Sequence, residues 1–176
     1  CSSDLLTLVA IPDSVEIMGR GVFFNNKLTS FTLSNSMSTI PMDTFGNNQL
    51  SSIVIPSGIK TIEGVAFANN QLVSITLPEG LENLGNMVFE NNSIESVVLP
   101  ESLRKAGLQV FLNNPLKHVE FKGSIPEPFY ATEESSQMLR LSGLGANTIK
   151  VPVGTLNEFQ DGAWKLGNIY YTAFYE

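Results

Sequence analysis

Cysteine and histidine each occur once among the 176 residues, and tryptophan once. A lone cysteine closes no disulfide within the chain, and one Cys with one His cannot supply the ligands of an ordinary zinc site. Any Cys-His or Ser-His catalytic pair would have to use the single histidine, His118. Charge is sparse as well. Only 15% of residues are charged, and 17 acidic against 10 basic groups leave −7 and a pI near 4.7. Nucleic-acid binders need a basic footprint, so that class is excluded. No apolar run approaches the ~18 residues of a membrane-spanning helix. Neither a Walker motif nor a dinucleotide fingerprint occurs, and the Gly143-Leu-Gly145 stretch follows no clear strand. No cofactor and no metal are expected.

What is present is a period. With 43% hydrophobic residues the chain can build a core. Asn-Asn starts at 25, 47, 69, 91 and 113, always 22 residues apart, and Phe23, Phe45, Phe67, Phe89 and Phe111 precede each pair by two. Five gapless units follow: 6–27, 28–49, 50–71, 72–93 and 94–115. Each opens on an apolar residue and carries two more at positions four and six, such as Ile53 and Ile55. That alternation predicts a strand with one buried side. Proline follows in four units (Pro12, Pro56, Pro78, Pro100), where its missing N–H ends the ladder. Apolar residues at positions ten and thirteen, such as Ile59 and Ile62, predict a helical or 3₁₀ turn in the second half. One unit alone leaves both flat sides wet. Stacking buries them, and five units exceed the roughly three a stable array needs.

The pattern LxxIxIPxxIxxIxxxAFxxN, carried by Leu50, Ile53, Ile55, Pro56, Ile59, Ile62, Ala66, Phe67 and Asn69, resembles the BspA-like leucine-rich-repeat family. The resemblance implies an α/β repeat solenoid, a right-handed superhelix with a parallel β-sheet on one face and short helical or 3₁₀ turns on the other. It also implies a non-enzymatic, cell-surface or secreted setting, with adhesion to host or bacterial surface proteins. The second unit departs from the pattern, with Ser34 for Pro and Thr44 for the small apolar residue, which predicts a looser turn there.

Most recurring residues are structural on this reading. Asn25, Asn47, Asn69, Asn91 and Asn113 are expected to form a buried amide ladder to the backbone of adjacent turns, and the Phe column a spine. A row of amides for sugar or metal is the competing reading and the weaker one. The sequon Asn91-Asn92-Ser93 is expected to stay unmodified because its first Asn should be buried.

Function is therefore sought at positions three and five, which flank the buried strand residue on the open face. These are Leu8 and Ala10, Ser30 and Thr32, Ser52 and Val54, Ser74 and Thr76, Ser96 and Val98, with His118 and Glu120 on a sixth strand. The surface is hydroxylated and nearly uncharged, and suits a protein ligand. A glycan is the alternative, with Phe129, Tyr130, Tyr170 and Tyr171 as candidate platforms. His118 beside Glu120 is read as a surface pair, since no motif places a nucleophile there. Glu133 and Glu134 are adjacent in a loop and define no glycosidase separation.

The repeats are assigned to residues 1–122 and a C-terminal cap to 123–176. Ile149-Lys-Val151-Pro152 suggests a seventh strand, Thr155 to Glu158 a capping box, Trp164 a lid on the last core layer, and 168–175 a closing strand. Extending the register backwards places Cys1 in a Phe slot, as in the tail of an earlier repeat. The alternative is the lipidated cysteine of a surface lipoprotein, since the start CSSD resembles such proteins after signal cleavage.

Overall fold

The computed structural model describes residues 5–123, 127–128 and 148–150. They form a solenoid of parallel strands, one coil per 22 residues. Strands β1 (Leu8–Ala10), β2 (Ser30–Thr32), β6 (Ser96–Leu99), β8 (His118–Phe121) and β10 (Thr148–Lys150) lie on one face. Strands β3 (Thr39–Ile40), β4 (Thr61–Ile62), β5 (Asn83–Leu84), β7 (Lys105–Ala106) and β9 (Glu127–Pro128) form a second sheet in that order. All pairings are parallel.

The second sheet corrects the expectation of a helical turn. Among the described residues there is no helix. In the second to fifth coils position thirteen, Ile40, Ile62, Leu84 and Ala106, is a buried strand residue paired coil to coil. After it the backbone turns through two left-handed residues per coil. Gly21, Asp43, Val65, Met87 and Gln109 at position sixteen have φ of 51–61°, and the first Asn of each pair has 53–57°. Such residues break a right-handed helix. Their N–H groups instead reach the next coil: Val65 donates to the Asn86 carbonyl, Phe67 to Val88 and Asn69 to Glu90, at 2.8–2.9 Å. The same three bonds recur at each junction from the first coil to the fifth.

The left-handed position also relocates the Asn ladder. Asn25, Asn69, Asn91 and Asn113 are exposed and Asn47 is half-buried, because this conformation turns the side chain outward. Asn tolerates positive φ better than other non-glycine residues, which explains its place there. The buried ladder runs through the second Asn. Asn70 Oδ1 accepts the Leu50 N–H at 3.0 Å, and its Nδ2 donates to the carbonyls of Phe45 and Phe67 at 2.9 and 3.1 Å. Asn48 makes the equivalent bonds, and Asn92 and Asn114 repeat them. Asn91 of the sequon is therefore exposed, with its Nδ2 bonded to Asn69 Oδ1 at 2.7 Å.

The Phe column is a stacked spine. Ring centroids from Phe23 through Phe45, Phe67, Phe89 and Phe111 are 5.5–5.7 Å apart and tilted by 5–18°. Phe45, Phe67 and Phe89 are wholly buried. Such pairs add about 0.5–1.5 kcal/mol each beyond the area they bury. The second unit is not loosened by its substitutions. Ser34 and Thr44 are both fully buried. The Ser34 hydroxyl accepts the Ser36 N–H at 3.1 Å, and Thr44 Oγ1 donates to the Pro41 carbonyl at 2.7 Å. Each hydroxyl bonds local backbone, so neither leaves a polar group unpaired.

The sixth coil keeps the period beyond its first strand. Glu127 and Pro128 pair with Lys105 and Ala106 at the register that 22 residues demand. β10 covers the place where a seventh strand is expected and pairs with β8. The capping box, Trp164 and the closing strand fall outside the described residues.

Candidate interaction surface

Positions three and five present a continuous column of side chains because strand residues alternate sides. Val97, Leu99, Val119 and Phe121 point into the core, whereas Ser96 and Val98 are exposed and His118 and Glu120 half-exposed. Ser30, Thr32, Ser52, Ser74 and Thr76 are exposed as well, and Val54 is 82% exposed. Register sets Leu8 beside Ser30, Ala10 beside Thr32, Ser96 beside His118 and Val98 beside Glu120.

This face is not one sheet. β1 pairs only with β2, and β6 only with β8, while Ser52–Val54 and Ser74–Thr76 form no ladder with any neighbour. Their backbone donors and acceptors make no hydrogen bond among the described residues, although the second sheet is unbroken at the same coils. Phe31 lies beside the first gap. Its ring sits at the strand position that holds Ile or Val in the third to sixth coils, 4.1 Å from the Phe45 centroid and 6.0 Å from Phe67 in the following coil. Between the fourth and fifth coils a concavity of about 250 Å³ opens, walled by Thr76, Val98 and Lys122. Lys122 bonds Glu79 across two coils. The Glu79 carboxylate, first by hydrogen bond and then by charge, holds the ammonium above its ordinary pKa.

One feature of the fold is new relative to the sequence. Register brings a hydroxyl, Ser96, beside His118, which in turn lies 3.8 Å from Glu120 through Nε2. Among the described residues no three His, Cys, Asp or Glu side chains gather where a metal could bind. The aromatic candidates for a glycan platform, with Glu133 and Glu134, lie outside the described residues.

Residues 1–117 match the family described as BspA type Leucine rich repeat region (6 copies). The chain belongs to this family. Its coils are leucine-rich repeats whose second Asn forms the inter-coil ladder. The fold is also similar to the crystal structure of a leucine-rich repeat protein from Bacteroides ovatus ATCC 8483, at 15% identity and a TM-score of 0.58. That alignment covers 96% of this chain and 66% of the other, so the chain spans just under two thirds of that protein's length. At such identity the likeness carries the fold alone. No curated protein matches the sequence. The family suggests a protein-interaction module, and its members are typically non-enzymatic scaffolds. No helix among the described residues is long and apolar enough to cross a membrane.

Proposed function

We propose that this BspA-type repeat protein is a non-enzymatic adhesin presented outside the cell, binding a protein ligand through the strand face. The observation that carries the reading is the row of exposed hydroxyls and valines, Ser52, Val54, Ser74, Thr76, Ser96 and Val98, along the strand face. A surface of hydroxyls and short apolar side chains suits the small side chains of another polypeptide. It is held by the core beneath, so little conformational freedom is lost on binding. Glycan recognition has no comparable observation on this face, which carries no Phe, Tyr or Trp at these positions among the described residues.

The test is a displayed-peptide selection against the protein, repeated on the triple variant Ser52→Lys, Ser74→Lys, Ser96→Lys. All three sites are exposed, so the variant should keep the parent Tm and lose the selected peptides. Equal affinity of those peptides for the variant would remove the strand face as the binding site.

A further inference from the structure

The opposite sheet carries two concavities that meet at one carboxylate. One, of about 480 Å³, is floored by Ile62 and Gly64 and walled by Met42, Val65 and Met87. The other, of about 530 Å³, lies between the first and second coils, beside Ile17, Met18 and Pro41. Glu63 lines both.

Four observations bear on what the groove holds. Its walls are apolar and adaptable, since methionine thioethers fit irregular shapes. Ile17 is 87% exposed in it, the most exposed large apolar side chain among the described residues. Glu63 Oε2 accepts the Met42 N–H at 2.9 Å, but the carboxylate joins none of the ion pairs of the described residues, and neither does Glu16 at the outer end. Arg20, the nearby cation, is committed to Asp43 and to the Met42 sulfur. Finally, Val65 is a β-branched residue at φ 51°, where the other coils place Gly21, Asp43, Met87 and Gln109. Strain of this kind gathers at ligand clamps, and here it holds an aliphatic side chain on the groove wall.

We infer that this groove binds a basic, apolar segment of another polypeptide. An arginine or lysine lays its aliphatic stem on Met42, Val65 and Met87 and meets the Glu63 carboxylate with its charged head. An adjacent aliphatic side chain covers Ile17 and Met18. The unpaired acid at the waist of an apolar groove selects a cation with a long apolar stem over a neutral or acidic chain. This site is on a different sheet from the strand face, so either can fail without the other.

The methionines report on it directly. With ¹³C-methyl methionine, Met42 and Met87 line the groove, Met18 marks its outer end, and Met37 is buried as an internal control. Titration with the peptide acetyl-Ala-Leu-Arg-Leu-Arg-Ala-amide should shift Met42 and Met87 saturably and leave Met37 in place. The analogue with glutamate for arginine should shift neither. Glu63→Gln, which keeps an acceptor for the Met42 N–H, should weaken the arginine peptide roughly fivefold or more at unchanged Tm. Val65→Asn should also bind less tightly while keeping or raising the Tm. Unmoved Met42 and Met87 signals, or equal binding of the glutamate peptide, would overturn the assignment.

Discussion

Asn70 donates through Nδ2 to the carbonyl of Phe45, 25 residues earlier, at 2.9 Å. The same amide accepts the Leu50 N–H through Oδ1, so one side chain ties its own coil to the one before it. Its neighbour Asn69 serves the backbone instead, at φ 55°. The two should therefore respond differently to truncation. Asn70→Ala leaves buried donors and acceptors unpaired, at about 1–3 kcal/mol each. Asn69→Ala should cost only about 1–2 kcal/mol, the penalty of a left-handed alanine, and Asn69→Gly less. Urea denaturation of the three variants gives the order, and a larger loss at Asn69 than at Asn70 would contradict it.

The ring spine makes a second prediction. Phe67 is wholly buried between Phe45 and Phe89. Phe67→Ala should lower stability by about 3–5 kcal/mol. Phe67→Leu, which keeps most of the volume, should cost clearly less. Calorimetry of both variants checks it, and equal losses would assign the energy to ring stacking over filled volume.

Glycines in the array differ in what they do. A Cβ on Gly85 would sit 2.4 Å from the Gly64 backbone nitrogen, while one on Gly19 meets only the Val22 methyl at 3.7 Å. Gly85→Ala should destabilise by about 1–3 kcal/mol through coil-to-coil overpacking. Gly19→Ala should stabilise by about 0.4–1 kcal/mol by restricting the unfolded chain. Thermal melts showing the same sign for both would refute the contrast.

Acid should weaken the second coil's first turn. The Asp13 carboxylate accepts the Asn35 backbone N–H at 2.7 Å and is also near the Asn35 side-chain amide. These bonds, the backbone one first, hold its pKa below the ordinary aspartate value. A depressed carboxyl pKa contributes stability that is present above the unfolded value and lost as pH falls through the folded one. Carbon-13 titration should place Asp13 below free aspartate. Asn35→Ala should recover part of the shift only, because the main-chain donor remains. Lys122 has the opposite sign: its raised pKa gives a contribution present below the ordinary lysine value and lost as pH rises through the folded one.

Much of this molecule was legible in its sequence because stacking imposes identical demands on every coil. The 22-residue period, the Phe spine and the strands of the first, second, fifth and sixth coils follow from spacing alone. The division of labour within Asn-Asn did not, because it depends on the sign of φ at the first residue, which both Asn side chains would tolerate. The second sheet was hidden for a related reason. Ile59 and Ile62 stand three apart, as on a helix, yet the bonds of Lys60, Thr61 and Glu63 go to Ser38 and Ile40 in the preceding coil. The strand face could be located by alternation, but its missing ladders could not, since nothing in Ser52–Val54 differs in kind from Ser96–Val98. The groove at Glu63 escaped notice because its walls come from three coils, and no spacing rule joins Met42 to Met87.

Pro41 weakens one junction of the array. In the next three coils the equivalent residues, Glu63, Gly85 and Gly107, each donate an N–H to the coil before. Proline has none to give, and the first coil's Ile17 and Met18 remain unpaired to Thr39 and Ile40. A run of identical units would hold every junction equally. Here the junction of the first and second coils lacks bonds that the later junctions have, so amide exchange in residues 14–20 should be faster than in the matching residues 58–64 and 80–86.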